Sequence, residues 1–191
     1  MEFVGSQTEK NLLAAFAGES QARNRYTFFA NAAKKEGYEQ ISAIFLETAD
    51  NEKEHAELFF KHLKGGAVEI TAAYPAGIIS STAENLKAAA DGEKLEWTML
   101  YPNFGDIAEK EGFPAIANTF RQVAKVEASH ERRYLKLLAN VQQGKVFKKE
   151  DTSTKWKCRN CGYIHEGSEA PGVCPVCGHP RSYYEVWTEP Y

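Results

Sequence analysis

The sequence has no long apolar run, no excess of basic residues and no cysteine before residue 158. A membrane helix takes roughly 18 or more consecutive apolar residues, and nothing in the 191 residues approaches that length. The 23 lysines and arginines face 26 acidic residues, for a net charge of −3, so no basic surface is predicted to bind a nucleic acid. The first ten residues, MEFVGSQTEK, lack the basic start and apolar stretch of a secretory signal. We therefore expect a soluble cytoplasmic protein with neither a nucleic acid nor a membrane as its partner.

Proline and cysteine are scarce in the first four-fifths of the chain and frequent after it. Three of the seven prolines precede residue 155 and four follow it. The four cysteines are Cys158, Cys161, Cys174 and Cys177. Because no export signal is visible, the thiols should stay reduced, and two C-x-x-C pairs then indicate a metal site. We predict a first domain over residues 1–146, a linker over 147–154 and a second domain over 155–191.

Apolar residues recur at helical spacing through the first domain, which predicts a bundle of four helices. Two helices occupy residues 6–64, the third spans 81–111 and the fourth spans 114–143. Residues 67–80 show no helical period and should form a crossover connection. Pro102 lies inside the third helix, where it should kink the helix or break its hydrogen bonds locally.

The two helix pairs repeat each other in sequence. Ala33-Lys-Lys-Glu-Gly-Tyr38 matches Ala108-Glu-Lys-Glu-Gly-Phe113 at an offset of 75, whereas Gly18-Glu19 matches Gly92-Glu93 at an offset of 74. One single-residue insertion reconciles the two offsets. The sequence therefore predicts a duplicated helical hairpin, and the folded bundle should carry a pseudo-two-fold axis.

Each helix pair carries a glutamate and a Glu-x-x-His motif at matching positions. These are Glu19 and Glu52-x-x-His55 in the first pair, and Glu93 and Glu127-x-x-His130 in the second. Residues three apart share a helix face, and this ligand set is the one known from di-iron and di-manganese bundles. Four inward carboxylates would cost several kcal/mol each unless cations neutralised them, and oxygen ligands with two imidazoles favour iron or manganese. Glu52 and Glu127 are the candidates to bridge two metals. The alternative is that both Glu-x-x-His motifs are ordinary surface charges, but two such motifs in register within a repeat disfavour a chance origin.

Three further residues are candidates with open alternatives. Glu96 has Ala22 as its repeat counterpart, and it is either an exposed glutamate or a seventh ligand. As a ligand it would replace neutral His55 on oxidation, just as the metal gains positive charge. Tyr26 and Tyr101 correspond at an offset of 75 and either donate hydrogen bonds to metal-bound carboxylates or simply pack in the core.

The second domain contains two C-x-x-C pairs separated by twelve residues, which is a strong signal for a tetrahedral thiolate site. So short a segment cannot bury enough surface to fold alone, so the metal must contribute to its folding. Zinc would make the site structural, whereas iron would make it a one-electron carrier. His165 and His179 lie nearby, but four cysteines already complete a tetrahedron, so we interpret both as bystanders.

These motifs resemble those of a known family. Cys158-x-x-Cys-Gly-Tyr163 followed by Cys174-Pro-x-Cys-Gly178 is similar to rubredoxin. The segment Gly18-Glu-Ser-Gln-Ala-Arg-Asn-Arg-Tyr26, Glu93-x-x-Glu96 and the two Glu-x-x-His motifs are similar to rubrerythrin, and the resemblance covers essentially the whole chain. It implies an all-α ferritin-like four-helix bundle fused to a small rubredoxin-like domain with short β-strands.

The resemblance also implies a function, cofactors and partners. The protein would be a non-haem di-iron peroxidase that reduces hydrogen peroxide to water in oxidative stress defence. Electrons would pass from a reductase or rubredoxin, within an NAD(P)H-dependent chain, through the four-thiolate iron to the two irons of the bundle. It would be a homodimer in which the rubredoxin-like site of one subunit lies near the di-iron site of the other, and Glu96 would be the seventh di-iron ligand.

Two alternatives come from other functional classes. The same bundle could act as a ferritin-like ferroxidase in iron storage, although storage needs a many-subunit shell and no attached relay. The protein could instead be a metal-binding protein with a zinc ribbon. The proposed ligands on which all three depend are Glu19, Glu52, His55, Glu93, Glu96, Glu127 and His130 in the bundle, and Cys158, Cys161, Cys174 and Cys177 after it.

Overall fold

The structure is a computed structural model, and it describes residues 2–189. Within that range, helices form a four-rod bundle that precedes a small three-stranded sheet. The elements are α1 (Gln7–Lys35), α2 (Glu39–His62), α3 (Thr82–Leu95), a π-helical turn (Glu96–Leu100), α4 (Tyr101–Glu111), α5 (Pro114–Gln142), β1 (Lys155–Cys158), β2 (Ile164–Glu166), a 3-10 turn (Arg181–Tyr183) and β3 (Tyr184–Val186). Because α3, the π-helical turn and α4 follow one another without a gap, they form the third rod. The predicted fold class, a four-helix bundle followed by a small domain with short strands, is confirmed.

The packing of the rods preserves the sequence repeat. α1 packs mainly against α2, and the third rod packs mainly against α5. Two buried aromatic clusters hold these pairs together, and their members correspond at an offset of 75: Tyr26, Phe45 and Tyr134 in one, and Tyr101, Phe120 and Phe59 in the other. The ring centroids of Tyr26 and Tyr134 are 5.5 Å apart, and those of Tyr101 and Phe59 are 5.4 Å apart. The hairpin duplication is therefore present in three dimensions, and burial of each ring contributes roughly 1.5–3 kcal/mol.

The π-helical turn explains why the repeat has two offsets. The first rod passes from Glu19 to Tyr26 in seven residues, whereas the third rod takes eight from Glu93 to Tyr101. A π turn holds one more residue than an α turn, so both tyrosines still reach equivalent positions. Pro102 is the second residue of α4, just after the turn, and because proline has no N–H it cannot make the α-helical hydrogen bond to the carbonyl four residues earlier. The predicted local break at Pro102 is thus a π turn rather than a kink in an α-helix.

The helix ends show how local sequence sets the rod lengths. The side chain of Ser81 accepts a hydrogen bond from Glu84 N, and the Glu84 carboxylate accepts one from Ser81 N in return. At the first rod the Ser6 side chain likewise accepts from Glu9 N, but the Glu9 carboxylate accepts from Gly5 N at 2.7 Å instead of from the cap residue. Gly112 ends the third rod with φ +90°, a left-handed conformation that side chains with a Cβ disfavour.

Replacing Gly112 with alanine is expected to lower the free energy of unfolding by roughly 1–2 kcal/mol, because the left-handed backbone places Cβ against the following carbonyl. Chemical denaturation of the two proteins followed by circular dichroism measures the difference. Gly77→Ala is the matched control, since φ is not positive there and nothing lies within 4 Å of the added Cβ. Equal stability of Gly112→Ala and the parent would contradict the expectation.

The small domain is built around β1, which pairs antiparallel with β2 on one side and β3 on the other. Trp156 in β1 is fully buried, and its indole N–H donates to the Gly167 carbonyl at 2.8 Å. The ring of Phe147 stacks on Tyr38 at a centroid distance of 6.1 Å, which seats this domain beside the start of α2. Of the described helices, none has both the length and the apolar character of a membrane span.

Candidate metal sites

The four rods bring six of the seven predicted bundle ligands together in the buried centre. Their ligand atoms form two groups, each converging within 4.8 Å: Glu19, Glu52, His55 and Glu127 in one, and Glu52, Glu93, Glu127 and His130 in the other. All six residues are at most 6% exposed. Because Glu52 and Glu127 belong to both groups, the arrangement has two adjacent positions for a cation with two shared carboxylates.

Each shared glutamate directs one oxygen towards each histidine. Glu52 Oε2 lies 2.8 Å from His55 Nδ1, and its Oε1 lies 3.3 Å from His130 Nδ1. Glu127 Oε1 lies 2.9 Å from His55 Nδ1, and its Oε2 lies 2.9 Å from His130 Nδ1. The i, i+3 spacing on α2 and α5 creates this geometry, because it places each histidine beside its own glutamate. The predicted bridging role of Glu52 and Glu127 therefore has suitable geometry.

The unpaired atoms of this cluster show that it suits a cation. Eight buried side-chain atoms of the six residues lack a hydrogen-bond partner: Glu19 Oε2, both carboxylate oxygens of Glu52 and of Glu127, Glu93 Oε2, and Nδ1 of His55 and His130. An unpaired buried polar atom costs about 1–3 kcal/mol, more if charged, so such a concentration in one place calls for a ligand. Oxygen donors with two imidazoles fit iron or manganese.

The pKa shifts in the cluster indicate that bound protons balance part of the carboxylate charge when no metal is bound. Burial and the neighbouring Glu52 raise the pKa of Glu93 to about 8, and burial with Glu127 also raises that of Glu19. Burial lowers the pKa of the two histidines, but the carboxylates of Glu127 and Glu52 beside them outweigh it, raising the pKa of His55 to about 10 and that of His130 to about 12. Near neutral pH the metal-free cluster therefore holds several protons.

Metal binding to the metal-free protein is therefore expected to release protons and to strengthen as the pH rises. The sign follows because the ligands must be deprotonated to bind, and the pKa of Glu93, about 8, leaves it protonated at pH 7. We expect more than one proton per ion, measured with an indicator dye during anaerobic titration with Fe²⁺ or Mn²⁺ in weak buffer. An affinity that stays constant between pH 6 and 8, with no proton release, would argue against this protonation state.

The two predicted tyrosines donate hydrogen bonds across the bundle to carboxylates of the cluster. The Tyr26 hydroxyl in α1 donates to Glu93 Oε1 in α3 at 2.6 Å, and the Tyr101 hydroxyl in α4 donates to Glu19 Oε1 in α1. Burial and the nearby carboxylates raise the pKa of both phenols, so both remain protonated donors. Each hairpin thus orients a carboxylate of the other. Of the two roles considered for Tyr26 and Tyr101, hydrogen bonding to a carboxylate is therefore present in addition to packing in the core.

Glu96 stands apart from the converging groups. It is the first residue of the π-helical turn and is partly buried, and among the described residues it belongs to neither group of ligand atoms. Burial and the charge of Glu93 raise the pKa of its carboxyl group, so it is close enough to respond to the cluster electrostatically. His55 occupies the cluster in this structure, and Glu96 does not.

Sequence analysis missed three features around the site. The Arg25 guanidinium Nε donates to Gln21 Oε1 at 2.7 Å near Glu96, and the Trp97 indole N–H donates to Glu131 Oε2 at 2.6 Å, which ties the π-helical turn to α5. Tyr134 packs on Tyr26 but corresponds to Phe59 in the repeat. Of these three features, only the replacement of Phe59 by Tyr134 in the second repeat could be found from the sequence, by comparing residues at the offset of 75.

The four cysteines converge in the small domain. Their sulfur atoms lie within 4.8 Å of one another, with Sγ–Sγ distances of 3.6 Å for Cys161 and Cys174 and 3.8 Å for Cys158 and Cys177, so none is a disulfide. The two C-x-x-C turns are built alike, because Gly162 N donates to Cys158 O and Gly178 N donates to Cys174 O, each at 2.9 Å.

The backbone around these turns favours thiolates. A hydrogen bond from the backbone N–H of His179 lowers the pKa of Cys177 to about 6, although partial burial of the thiol acts in the opposite direction. The His179 ring itself packs on Tyr183 at 4.5 Å, and neither His165 nor His179 is in the group of converging ligand atoms within the described part of the chain. The donor set is therefore four sulfurs, as for a rubredoxin-type iron or a structural zinc.

Comparisons with known proteins agree with both sites. A family model described as rubrerythrin matches residues 10–138, and one described as the rubrerythrin rubredoxin-like domain matches residues 156–185. The chain is 64% identical over 181 residues to a rubrerythrin of Porphyromonas gingivalis, covering 95% of this chain and 90% of that one. It is 56% identical to a rubrerythrin of Nitratidesulfovibrio vulgaris, covering 95% of each.

Solved structures show the same fold. Fully reduced nigerythrin, described as all ferrous, aligns with a TM-score of 0.64 at 34% identity, over 97% of this chain and 89% of that one. A bacterioferritin of Desulfovibrio desulfuricans aligns with a TM-score of 0.64 over 73% of this chain and 82% of that one, but at 18% identity it shows the fold alone. The predicted ferritin-like bundle with a rubredoxin-like domain is confirmed, as are its two kinds of metal site, one of carboxylates and histidines and one of four cysteines.

Proposed function

This chain belongs to the rubrerythrin family, and from that membership we propose that it is a non-haem di-iron peroxidase that reduces hydrogen peroxide to water. The observation that carries the proposal is the pair of buried ligand groups sharing Glu52 and Glu127. A site for two metals in one cavity stores two electrons, which is the number that peroxide reduction takes.

We assign the ligands as follows. The di-iron ligands are Glu19, Glu52, His55, Glu93, Glu127 and His130, with Glu96 as the additional one, and the four-thiolate iron ligands are Cys158, Cys161, Cys174 and Cys177. Two ferrous ions bound in the bundle would supply both electrons and orient the peroxide. The four-thiolate iron would carry one electron at a time and so act twice per turnover.

The protein's own groups supply orientation and protection from water. Tyr26 and Tyr101 hold Glu93 and Glu19 in place through hydrogen bonds that need protonated phenols. The two buried aromatic clusters contain Tyr26 and Tyr101, so each keeps water from its own side of the site. Peroxide reduction consumes two protons, which a ligand carboxylate or a bound water could supply.

We propose that Glu96 supplies its carboxylate to the oxidised site in place of His55. Its position outside the converging groups but within electrostatic reach of Glu93, Glu127 and Glu52 supports this role. An anionic oxygen suits a ferric ion better than a neutral imidazole does.

Replacing Glu96 with alanine is expected to leave the ferrous site occupied and to weaken the oxidised site. Iron per bundle, counted after desalting in each oxidation state, should stay near two when reduced and fall after oxidation. Glu54→Ala is a suitable control because that glutamate is exposed on α2. Equal iron loss in both states would contradict the role of Glu96.

We further propose the setting in which this activity operates. The protein would be a cytoplasmic homodimer that receives electrons from a reductase or rubredoxin within an NAD(P)H-dependent chain and serves in oxidative stress defence. Iron storage by a ferroxidase is the main rival, and it predicts a hollow assembly of many subunits. A zinc ribbon predicts a colourless small domain, whereas ferric iron in four thiolates is red.

Stoichiometric oxidation tests the proposed reaction. The holoprotein is reduced anaerobically, so that its three irons can give three electrons, and is mixed with enough hydrogen peroxide to take all of them at two electrons per molecule, while the absorbance of both iron centres is followed. We expect the di-iron pair to be oxidised rapidly and completely with no oxygen released. Slow oxidation of the bundle, or release of oxygen, would overturn the peroxidase assignment.

A further inference from the structure

A cavity of about 950 Å³ lies beside the proposed di-iron site, between α1, the third rod and residues 67–75 of the crossover connection, which we call the strap. Four of the polar side chains that line it lie next to the site, namely Gln21, Arg25, Glu96 and Tyr101. The remaining wall is mixed: Ala14, Ala15, Ile70, Leu95, Leu100 and Phe104 are apolar, whereas Gln7, Glu9, Lys10, Asn11, Glu69 and Thr71 are polar or charged.

The cavity adjoins the proposed site directly. Tyr101 lines the cavity, and its hydroxyl donates to Glu19, one of the proposed ligands. Glu96 lines it at the start of the π-helical turn. A molecule in the cavity could therefore meet both side chains of the site and the apolar side chains of Ala14, Leu95 and Leu100.

The strap forms the roof and is fixed to the first rod. The Tyr74 hydroxyl donates to the Ala14 carbonyl at 2.7 Å. Gly18 lies beneath this tyrosine, since a Cβ built there would meet the Tyr74 ring at 3.6 Å. The tethered strap thus covers part of the cavity, which stays open to solvent elsewhere.

The size and lining of the cavity exceed what hydrogen peroxide needs. Hydrogen peroxide has two heavy atoms, all of them polar, whereas pockets of roughly 300–1,000 Å³ hold ligands with substantial apolar surface. Each methylene buried against such walls favours binding by roughly fourfold.

We propose that this cavity admits alkyl hydroperoxides as a second substrate class, with the hydrocarbon tail along the apolar walls and the hydroperoxide group at Glu96 and Tyr101. The inference rests on the proposed peroxidase function. The O–O bond breaks, and the hydroperoxide takes two electrons from the reduced site and two protons, yielding one alcohol and one water. The alcohol leaves through the cavity that admitted its parent.

A pair of alanine substitutions on α1 tests the assignment. Ala14 lines the cavity, whereas Ala17 is also partly exposed on α1 and does not line it. Reoxidation of the reduced holoprotein is followed by stopped flow with hydrogen peroxide, tert-butyl hydroperoxide and n-hexyl hydroperoxide. We expect the ratio of the n-hexyl rate to the hydrogen peroxide rate to fall at least tenfold in Ala14→Phe and to stay within twofold of the parent in Ala17→Phe.

Binding is measured separately from turnover. The alcohol 6,6,6-trifluorohexan-1-ol resembles the product and does not react, and its ¹⁹F signal should broaden with the iron-loaded parent and with Ala17→Phe but not with Ala14→Phe. Rapid oxidation by hydrogen peroxide with slow oxidation by both alkyl hydroperoxides would overturn this proposal and leave the peroxidase function standing. Slow oxidation by all three would overturn the peroxidase function itself. Rapid alkyl turnover that Ala14→Phe leaves unchanged would exclude this cavity as the binding site.

Discussion

Replacing Glu52 with glutamine is expected to remove both metals from the bundle at once. Glu52 contributes one oxygen towards each histidine, at 2.8 Å from His55 Nδ1 and 3.3 Å from His130 Nδ1, so both proposed positions lose a ligand. Loss of a residue that merely orients a ligand costs roughly 10–100-fold in metal affinity, and loss of a shared ligand should cost at least roughly 100-fold. Iron per protein after dialysis, with thermal unfolding in the presence and absence of iron, measures the effect.

Glu54→Gln is the matched control for this experiment. The same substitution is made two residues away on the same helix, at an exposed position outside the cluster. It should bind two irons in the bundle as the parent does. If Glu52→Gln lost only one metal, or kept both with unchanged affinity, the shared carboxylate would not be a bridge.

Replacing Cys161 with serine is expected to abolish repeated turnover while leaving a single turnover intact. The thiolate site then loses one of four ligands, and a domain this small depends on its metal to fold. The bundle clusters contain no residue of this domain, so the di-iron site should still be oxidised by one equivalent of peroxide. Steady-state rates with an electron-donating reductase should fall at least roughly 100-fold.

His165→Ala provides the comparison for the cysteine variant. His165 lies in β2 opposite Trp156, outside the cluster of sulfur atoms, so its removal should leave turnover and the red colour unchanged. Full steady-state activity of Cys161→Ser would show that electrons reach the bundle without the four-cysteine site. A large loss in His165→Ala would mean that it is more than a bystander.

Much of the site could be predicted because its spacing is local. Residues three apart on a helix share a face, so Glu52 with His55 and Glu127 with His130 needed no tertiary information to be paired. The sequence repeat then aligned the helices and identified Glu19 and Glu93. The four-cysteine site could be predicted for the same reason, since each C-x-x-C pair forms one short turn closed by a glycine.

The remainder of the site depends on tertiary contacts that no local pattern encodes. The offset change between Glu93 and Tyr101 indicated one inserted residue, but not that it forms a π turn starting at Glu96. The hydrogen bond from Trp97 to Glu131 joins separate helices 34 residues apart in sequence. The cavity beneath the strap arises because an irregular segment crosses α1. Such a segment has no hydrophobic periodicity, so its path could not be predicted from the sequence.

Diffraction at the iron absorption edge tests the central claim most directly, because it locates iron without reference to any assumed ligand. For crystals of the iron-loaded protein we expect two anomalous peaks roughly 3.5–4 Å apart between Glu52 and Glu127, and a third among the four cysteines. A single peak in the bundle, or peaks only at the surface, would contradict the account.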